Sequence, residues 1–164
     1  MLSPEGDIRP ARAPETTALH DLWLAAPDRR DWTPAEGPGA PLLAELDVLV
    51  AEKRVWAAFK DGQPIAVAAA GEIDSALFLT MLGVAEDWRG CGYGHALLQT
   101  VRNFGSVANY PAIYALASRL GPGFGFLRRN SFVTLDEDRL TPGFAALLKD
   151  AGGPHRCAVL ALPL

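Results

Sequence analysis

The stretch Leu82-Gly83-Val84-Ala85-Glu86-Asp87-Trp88-Arg89-Gly90-Cys91-Gly92-Tyr93-Gly94-His95-Ala96-Leu97-Leu98 begins as an apolar run, breaks into a glycine-rich loop and resumes with helical spacing. Strand, loop and helix in that order make a cradle for an anion. Gly90, Gly92 and Gly94 stand at alternate positions, where the lack of a Cβ lets the backbone turn sharply and come close to a ligand. A helix that starts in such a loop presents N–H groups with no intrahelical partner and the positive end of its dipole, which stabilise a phosphate placed there. Arg89, at the mouth, adds a fixed charge that bonds phosphate oxygens in pairs.

Upstream of this stretch, Ile8-Arg9-Pro10-Ala11-Arg12 reads as a short strand. Leu19, Leu22 and Trp23 recur at i, i+3 and i+4, which predicts a first helix ending before Pro27. From Pro27 to Pro41 four prolines and two glycines predict an irregular loop, of a length that often carries function. Leu42, Leu46, Leu49 and Val50 then share a helical face that closes near Lys53. Val55 to Phe59, the turn Lys60-Asp61-Gly62-Gln63, and Ile65 to Ala70 form a predicted antiparallel hairpin, marked by the Asp-Gly pair between apolar runs. Ala76 to Val84 is the strand that enters the glycine loop, and Leu97, Val101 and Phe104 give the helix beyond it a buried face.

Downstream, Ala112 to Ala117 is a strand, Phe124 to Asn130 a short helix and Phe132 to Leu135 another strand. Thr141-Pro142 fits an N-cap followed by a first-turn proline, with Phe144, Leu147 and Leu148 on the buried face and Gly152-Gly153-Pro154 as the stop. Cys157 to Leu162 is the last strand. The fold class read from this order is α/β (α+β): a mixed, mostly antiparallel sheet of about six to seven strands with helices on both faces. No repeat or low-complexity segment interrupts it, and residues 1–164 read as one domain.

Composition narrows the partners. With 164 residues, 49% of them hydrophobic, the chain has enough apolar material for a core of its own. A net charge of −4 with scattered Lys and Arg argues against a nucleic-acid partner, which needs a basic surface. Two distant cysteines, Cys91 and Cys157, and three histidines show no metal-ligand spacing, so no metal is expected. No basic leader precedes an apolar run, and no uncharged apolar stretch approaches the roughly 18 residues of a membrane span. A cytoplasmic protein acting on a small molecule, without a membrane or nucleic-acid partner, is the expectation; a homodimer is compatible with it.

The order of elements and Arg89-Gly90-Cys91-Gly92-Tyr93-Gly94 together resemble the GCN5-related N-acetyltransferase (GNAT) family, whose acyl-CoA loop reads Arg/Gln-x-x-Gly-x-Gly/Ala after the fourth strand. Phe126-Leu127-Arg128-Arg129-Asn130-Ser131-Phe132 resembles that family's later Phe-Tyr-x-x-x-Gly-Phe segment, at the usual distance. The resemblance implies an N-acetyltransferase that moves an acetyl group from acetyl-CoA to a primary amine by direct attack in a ternary complex. It assigns Leu82, Val84, Arg89, Gly90, Cys91, Gly92, Tyr93, Gly94, His95 and Arg129 to CoA. Main-chain N–H groups from Arg89 to His95 would cradle the pyrophosphate, while Leu82 and Val84 would pair with the pantetheine arm like an added strand. One of those strand N–H groups would hold charge developing on the thioester oxygen.

Three positions depart from the family pattern. Leu127 stands where a tyrosine often protonates the leaving thiolate, Ser131 replaces the usual glycine, and the strand from Ala76 to Val84 carries no carboxylate. Glu72, Asp74 and Glu86 are then the nearest bases, with Glu72 taken first, and Tyr93 is the alternative acid. Each candidate has a plainer reading: Glu72 as a solvated strand end, Tyr93 as a ring packing beside CoA or the sheet, Cys91 as a small loop residue in place of an activated thiol. His95 reads either as a phosphate neighbour or as a solvated helix residue. His155 with Cys157 has no further support, and Trp56 and Trp88 read as packing. Asp28, Arg29, Arg30, Asp31 and Trp32 are candidates for the acceptor wall, and the tail from Phe126 to Leu140 loosely resembles bacterial amino-acid acetyltransferases of the N-acetylglutamate synthase type. Leu127 and the carboxylate-free strand also fit a CoA-binding sensor without turnover. Dinucleotide binding fits less well, because the repeated strand-helix-strand context and a later acidic residue are missing.

Overall fold

The computed structural model describes residues 7–26 and 43–164. The proline-rich segment from Pro27 to Pro41, with Asp28, Arg29, Arg30, Asp31 and Trp32, and the start of the second helix at Leu42 lie outside the described residues. Along the chain, β1 (Ile8–Pro10) leads to α1 (Thr16–Ala25), and α2 (Leu43–Ala51) precedes β2 (Val55–Lys60) and β3 (Gln63–Ile73). Then follow β4 (Ala76–Val84), α3 (Tyr93–Val107), β5 (Ala112–Ser118), α4 (Pro122–Arg129), β6 (Val133–Thr134), α5 (Pro142–Asp150) and β7 (Cys157–Pro163). The Asp-Gly hairpin forms as predicted: Asp61 and Gly62 both take positive φ, the conformation that matches the twist of the flanking strands.

One mixed sheet in the order β1-β2-β3-β4-β5-β7-β6 contains the seven strands of the described residues, antiparallel throughout except between β4 and β5. That parallel pair is joined only at Leu77–Ile113 and Phe78–Tyr114; beyond these rungs the strands diverge. β4 also carries an irregularity opposite Ala69 and Ala70 that leaves Thr80 without a rung. The Thr80 hydroxyl accepts the Gly71 N–H at 3.0 Å, substituting a side chain for the missing ladder bond.

Helices cover both faces. Leu97, Val101 and Leu127 pack against Leu82, Val84, Ile113 and Leu160 on one. On the other, Leu19 and Trp23 of α1 and Leu46 and Val50 of α2 meet Val55, Val67 and Met81. α5 adds Phe144, Leu147 and Leu148 over Phe78, Leu116 and Val159. Phe104, expected in the buried stripe of α3, lies at its margin with an edge contact to Trp56 at 5.2 Å between ring centres.

The end of α4 explains two of the sequence's departures. Phe132 N–H donates to Leu127 O and Ser131 N–H to Arg128 O, the paired bonds of a Schellman ending, and the apolar contact that accompanies it is between buried Leu127 and Phe132. Phe132 is thereby withheld from β6, which is shorter than predicted. Ser131 occupies the left-handed position of this motif at φ 74°, where glycine carries no steric penalty. Ser131→Gly is therefore expected to stabilise the protein by about 1 kcal/mol and raise Tm by about 2–4 °C, read by differential scanning calorimetry. A lower Tm would overturn this account of the helix end.

Candidate functional site

A groove of about 360 Å³ opens where β4 and β5 part. Its floor is Leu82 and Val84 on β4. One wall is the glycine loop and first turn of α3, with Trp88, Arg89, Gly90, Gly92, Tyr93, Gly94 and His95, and the other is α4, with Pro122, Gly123, Phe126 and Arg129. The positions expected to face a ligand therefore meet here, with the exception of Cys91. That thiol is exposed and sits 3.8 Å from the Arg89 carbonyl, outside the lining. Trp88 and Phe126 join the lining although the sequence marked the first only as packing; Trp88 stands edge-on to Tyr93 at 6.1 Å between ring centres.

The loop conformation follows from its glycines. Gly90 and Gly92 take φ of 76° and 91°, left-handed values that other residues adopt only with strain. Gly94 differs, since it lies within the helix. Ala96 N–H is the first to bond back, to Gly92 O at 3.0 Å, so the N–H groups of Tyr93, Gly94 and His95 precede the first intrahelical bond and point out of the helix start. The predicted cradle begins later than expected: Arg89 N–H is already donated to Glu86 O at 3.2 Å by the short 3-10 turn that follows β4.

Strand geometry supplies the second feature. Ala85 N–H donates to Ile65 O on β3 at 2.8 Å. Alternation along the strand then turns the main-chain groups of Leu82 and Val84 to the opposite side, toward the gap that β5 has left. The groove thus offers an unpaired strand edge at one end and a helix N-terminus at the other. Among the described residues its charged lining is Arg89 and Arg129, with His95 beside them, and no carboxylate contributes. Although the chain carries a net charge of −4, this surface favours an anion.

The carboxylates nominated for proton transfer lie outside the groove lining. Glu72 accepts a hydrogen bond from the Tyr110 hydroxyl and pairs with Arg54 Nη2 at 3.2 Å, at the end of the sheet and outside the groove lining. Its Oε1 receives both of these donors. Asp74, in the turn between β3 and β4, accepts from Gly143 N–H at 2.7 Å and from the Thr141 hydroxyl. It caps α5 in place of Thr141, whose side chain makes no capping bond of its own. Glu86 is exposed in the 3-10 turn and does not line the groove.

Tyr93 lines the groove, but its hydroxyl donates to Asp7 Oδ2 at 2.7 Å, and Lys60 Nζ meets the same oxygen at 2.8 Å. Burial, then the Asp7 contact, pushes the phenol up; the hydrogen bond from Lys60, then that from Tyr93, pulls the Asp7 carboxyl down. Tyr93 is a protonated tie between the glycine-loop helix and the start of β1. Leu127, at the position of the expected acid, is fully buried. Cys157 is also buried, with its thiol pushed up by desolvation, so it forms no reactive pair with His155. Among the described residues no group of three or more potential ligands is placed to hold a metal, and no helix is long and apolar enough to cross a membrane.

A sequence model of the acetyltransferase (GNAT) family matches residues 17–119, more than half of the chain. Among solved structures, the N-acetylglutamate synthase of Neisseria gonorrhoeae, complexed with coenzyme A and N-acetyl-glutamate, is similar with a TM-score of 0.73 and 19% identity. The alignment covers 96% of this chain and 35% of that one, so the chain spans about a third of its length. The Drosophila melanogaster polyamine N-acetyltransferase, which catalyses formation of N-acetylagmatine, aligns with a TM-score of 0.67 and 17% identity over 96% of this chain and 99% of that one. The PaiA N-acetyltransferase of Thermoplasma acidophilum, in complex with coenzyme A, gives 0.64 and 15% over 96% and 98%. The sequence has no significant match among curated proteins.

Proposed function

Because the chain belongs to the acetyltransferase (GNAT) family, we propose that it transfers an acetyl group from acetyl-CoA to a primary amine of a small molecule, an amino acid or a small amine. One observation carries the donor half: an unpaired strand edge at Leu82 and Val84 runs into a glycine loop and helix start, in one groove with Arg89 and Arg129. In this reading Leu82 and Val84 pair with the pantetheine arm as an added strand. The N–H groups of the α3 start and the two arginines take the pyrophosphate. The residues that line the groove fit such a ligand, being apolar at the strand end and cationic at the loop end.

Catalysis in this proposal is mainly positioning. Holding amine and thioester in attack geometry supplies roughly 7–11 kcal/mol of the barrier. An N–H of the β4 edge stabilises the developing oxyanion. With Glu72 and Tyr93 engaged by other partners and Leu127 in the core, protons leave and arrive through water. A binding-only sensor of CoA is the second reading, favoured by the buried Leu127 and by a groove lining that holds no carboxylate among the described residues.

The test has two stages. Saturating acetyl-CoA is expected to raise Tm by several degrees through mass action, on the order of 3 kcal/mol at 100 times Kd. Thiol release is then followed across amino acids, diamines and agmatine-like amines. Absence of any Tm shift ends the acyl-CoA reading, and steady turnover with any amine ends the sensor reading.

A further inference from the structure

We infer that Asn130 is a positioning residue for the donor substrate: it holds His95 with Nδ1 protonated, so that Nε2 is the nitrogen offered to the anionic oxygens of acetyl-CoA. The inference rests on the acyl-CoA reading of the groove and adds to it which ring nitrogen of His95 faces the donor. His95 is the third residue of α3 and lines the groove, and its Nδ1 lies 2.8 Å from Asn130 Oδ1. The amide cannot be turned the other way without loss, because Asn130 Nδ2 donates to Phe126 O at 2.8 Å, and a main-chain carbonyl only accepts. Oδ1 is thus the atom facing the ring, and Nδ1 must carry the hydrogen.

Asn130 is in turn fixed by the helix end described above, where its own N–H bonds to Phe126 O and Leu127 O. The pair therefore joins the two helices that wall the groove, the start of α3 to the end of α4. With Nδ1 committed, Nε2 has two states. Neutral, it presents a lone pair, which repels a phosphate oxygen; protonated, it donates a charge-assisted hydrogen bond to that oxygen. Binding of an anion selects the second state.

Arg89 from the loop and Arg129 from α4 share the lining with this ring, and Tyr93, on the same helix, keeps its hydroxyl on Asp7. Among the described residues no carboxylate lines the groove.

The Kd of acetyl-CoA is measured by calorimetry for the wild type, His95→Gln and Asn130→Leu. About tenfold weaker binding than the wild type is expected for His95→Gln, the loss of one charge-assisted hydrogen bond. Long-range proton–nitrogen NMR of the histidine rings at pH 8 is expected to show the Nδ1–H form of His95 in the wild type and a mixed population in Asn130→Leu. An Nε2–H ring in the wild type, or equal affinity of the wild type and His95→Gln, overturns the inference while leaving the acyl-CoA reading in place. No binding by the wild type overturns both.

Discussion

Gly92→Val is expected to weaken acetyl-CoA binding by at least about 100-fold in a chain that still folds. Gly92 is the N-cap of α3, at φ 91° and ψ 3°. An L-residue in the left-handed region costs roughly 1–2 kcal/mol, and a β-branched one is a still rarer occupant. The loop relieves that strain by rotating φ to negative values, which re-aims the N–H groups that precede the first intrahelical bond. Losing two hydrogen bonds to a charged ligand, at about 1.5–3 kcal/mol each, removes roughly 3–6 kcal/mol. The lower end of that range is already more than 100-fold.

Two further substitutions separate conformation from bulk. Gly92→Asn is expected to keep most of the affinity, because asparagine tolerates the left-handed region. Gly94→Ala is expected to lose less than about tenfold: a Cβ there meets Phe126 at 3.5 Å, an ordinary contact, in a backbone that is already helical. Three alternate glycines look equivalent in the sequence, yet the fold asks for glycine conformation at Gly90 and Gly92 only. Isothermal calorimetry with circular dichroism on the same samples decides the matter. Binding by Gly92→Val within about threefold of wild type would falsify the proposed role of the loop.

Local signals carried most of the architecture. The Asp-Gly turn between apolar runs fixed the hairpin, and the 3.6-residue spacing of Leu97 and Val101 fixed the helix that follows the loop. The groove lining was legible for the same reason, since strand, loop and helix start are contiguous from Leu82 to His95. What could not be read were relations between distant residues. Nothing near Glu72 announces Arg54 and Tyr110, and nothing near Asp74 announces the start of α5, so the partners of both carboxylates could not be read. Asn130 gave no signal either, because its meaning depends on a ring 35 positions away. Ser131 looked like a weakened motif; its φ shows that the glycine's conformation is kept, with a residue that fits it less well.

Leu127→Ala is the substitution with the largest expected loss of stability, about 2–5 kcal/mol, and it also tests what the missing tyrosine means. Leu127 is 0% exposed, belongs to the core shared by α3, α4 and the sheet, and supplies half of the apolar contact that closes the helix end with Phe132. Truncation to alanine removes buried methyl groups and leaves a void that a close-packed interior fills only in part. For a loss of about 3 kcal/mol in a chain of this size, Tm is expected to fall by roughly 6–12 °C. If Leu127 acts through packing alone, kcat measured well below that Tm stays within about twofold of wild type with an amine that is turned over. Its dependence on pH should also be unchanged, because no proton donor has been removed. A kcat loss far beyond the unfolded fraction, or an altered pH profile, would show that this position still takes part in thiolate departure, and water would no longer suffice as the proton carrier.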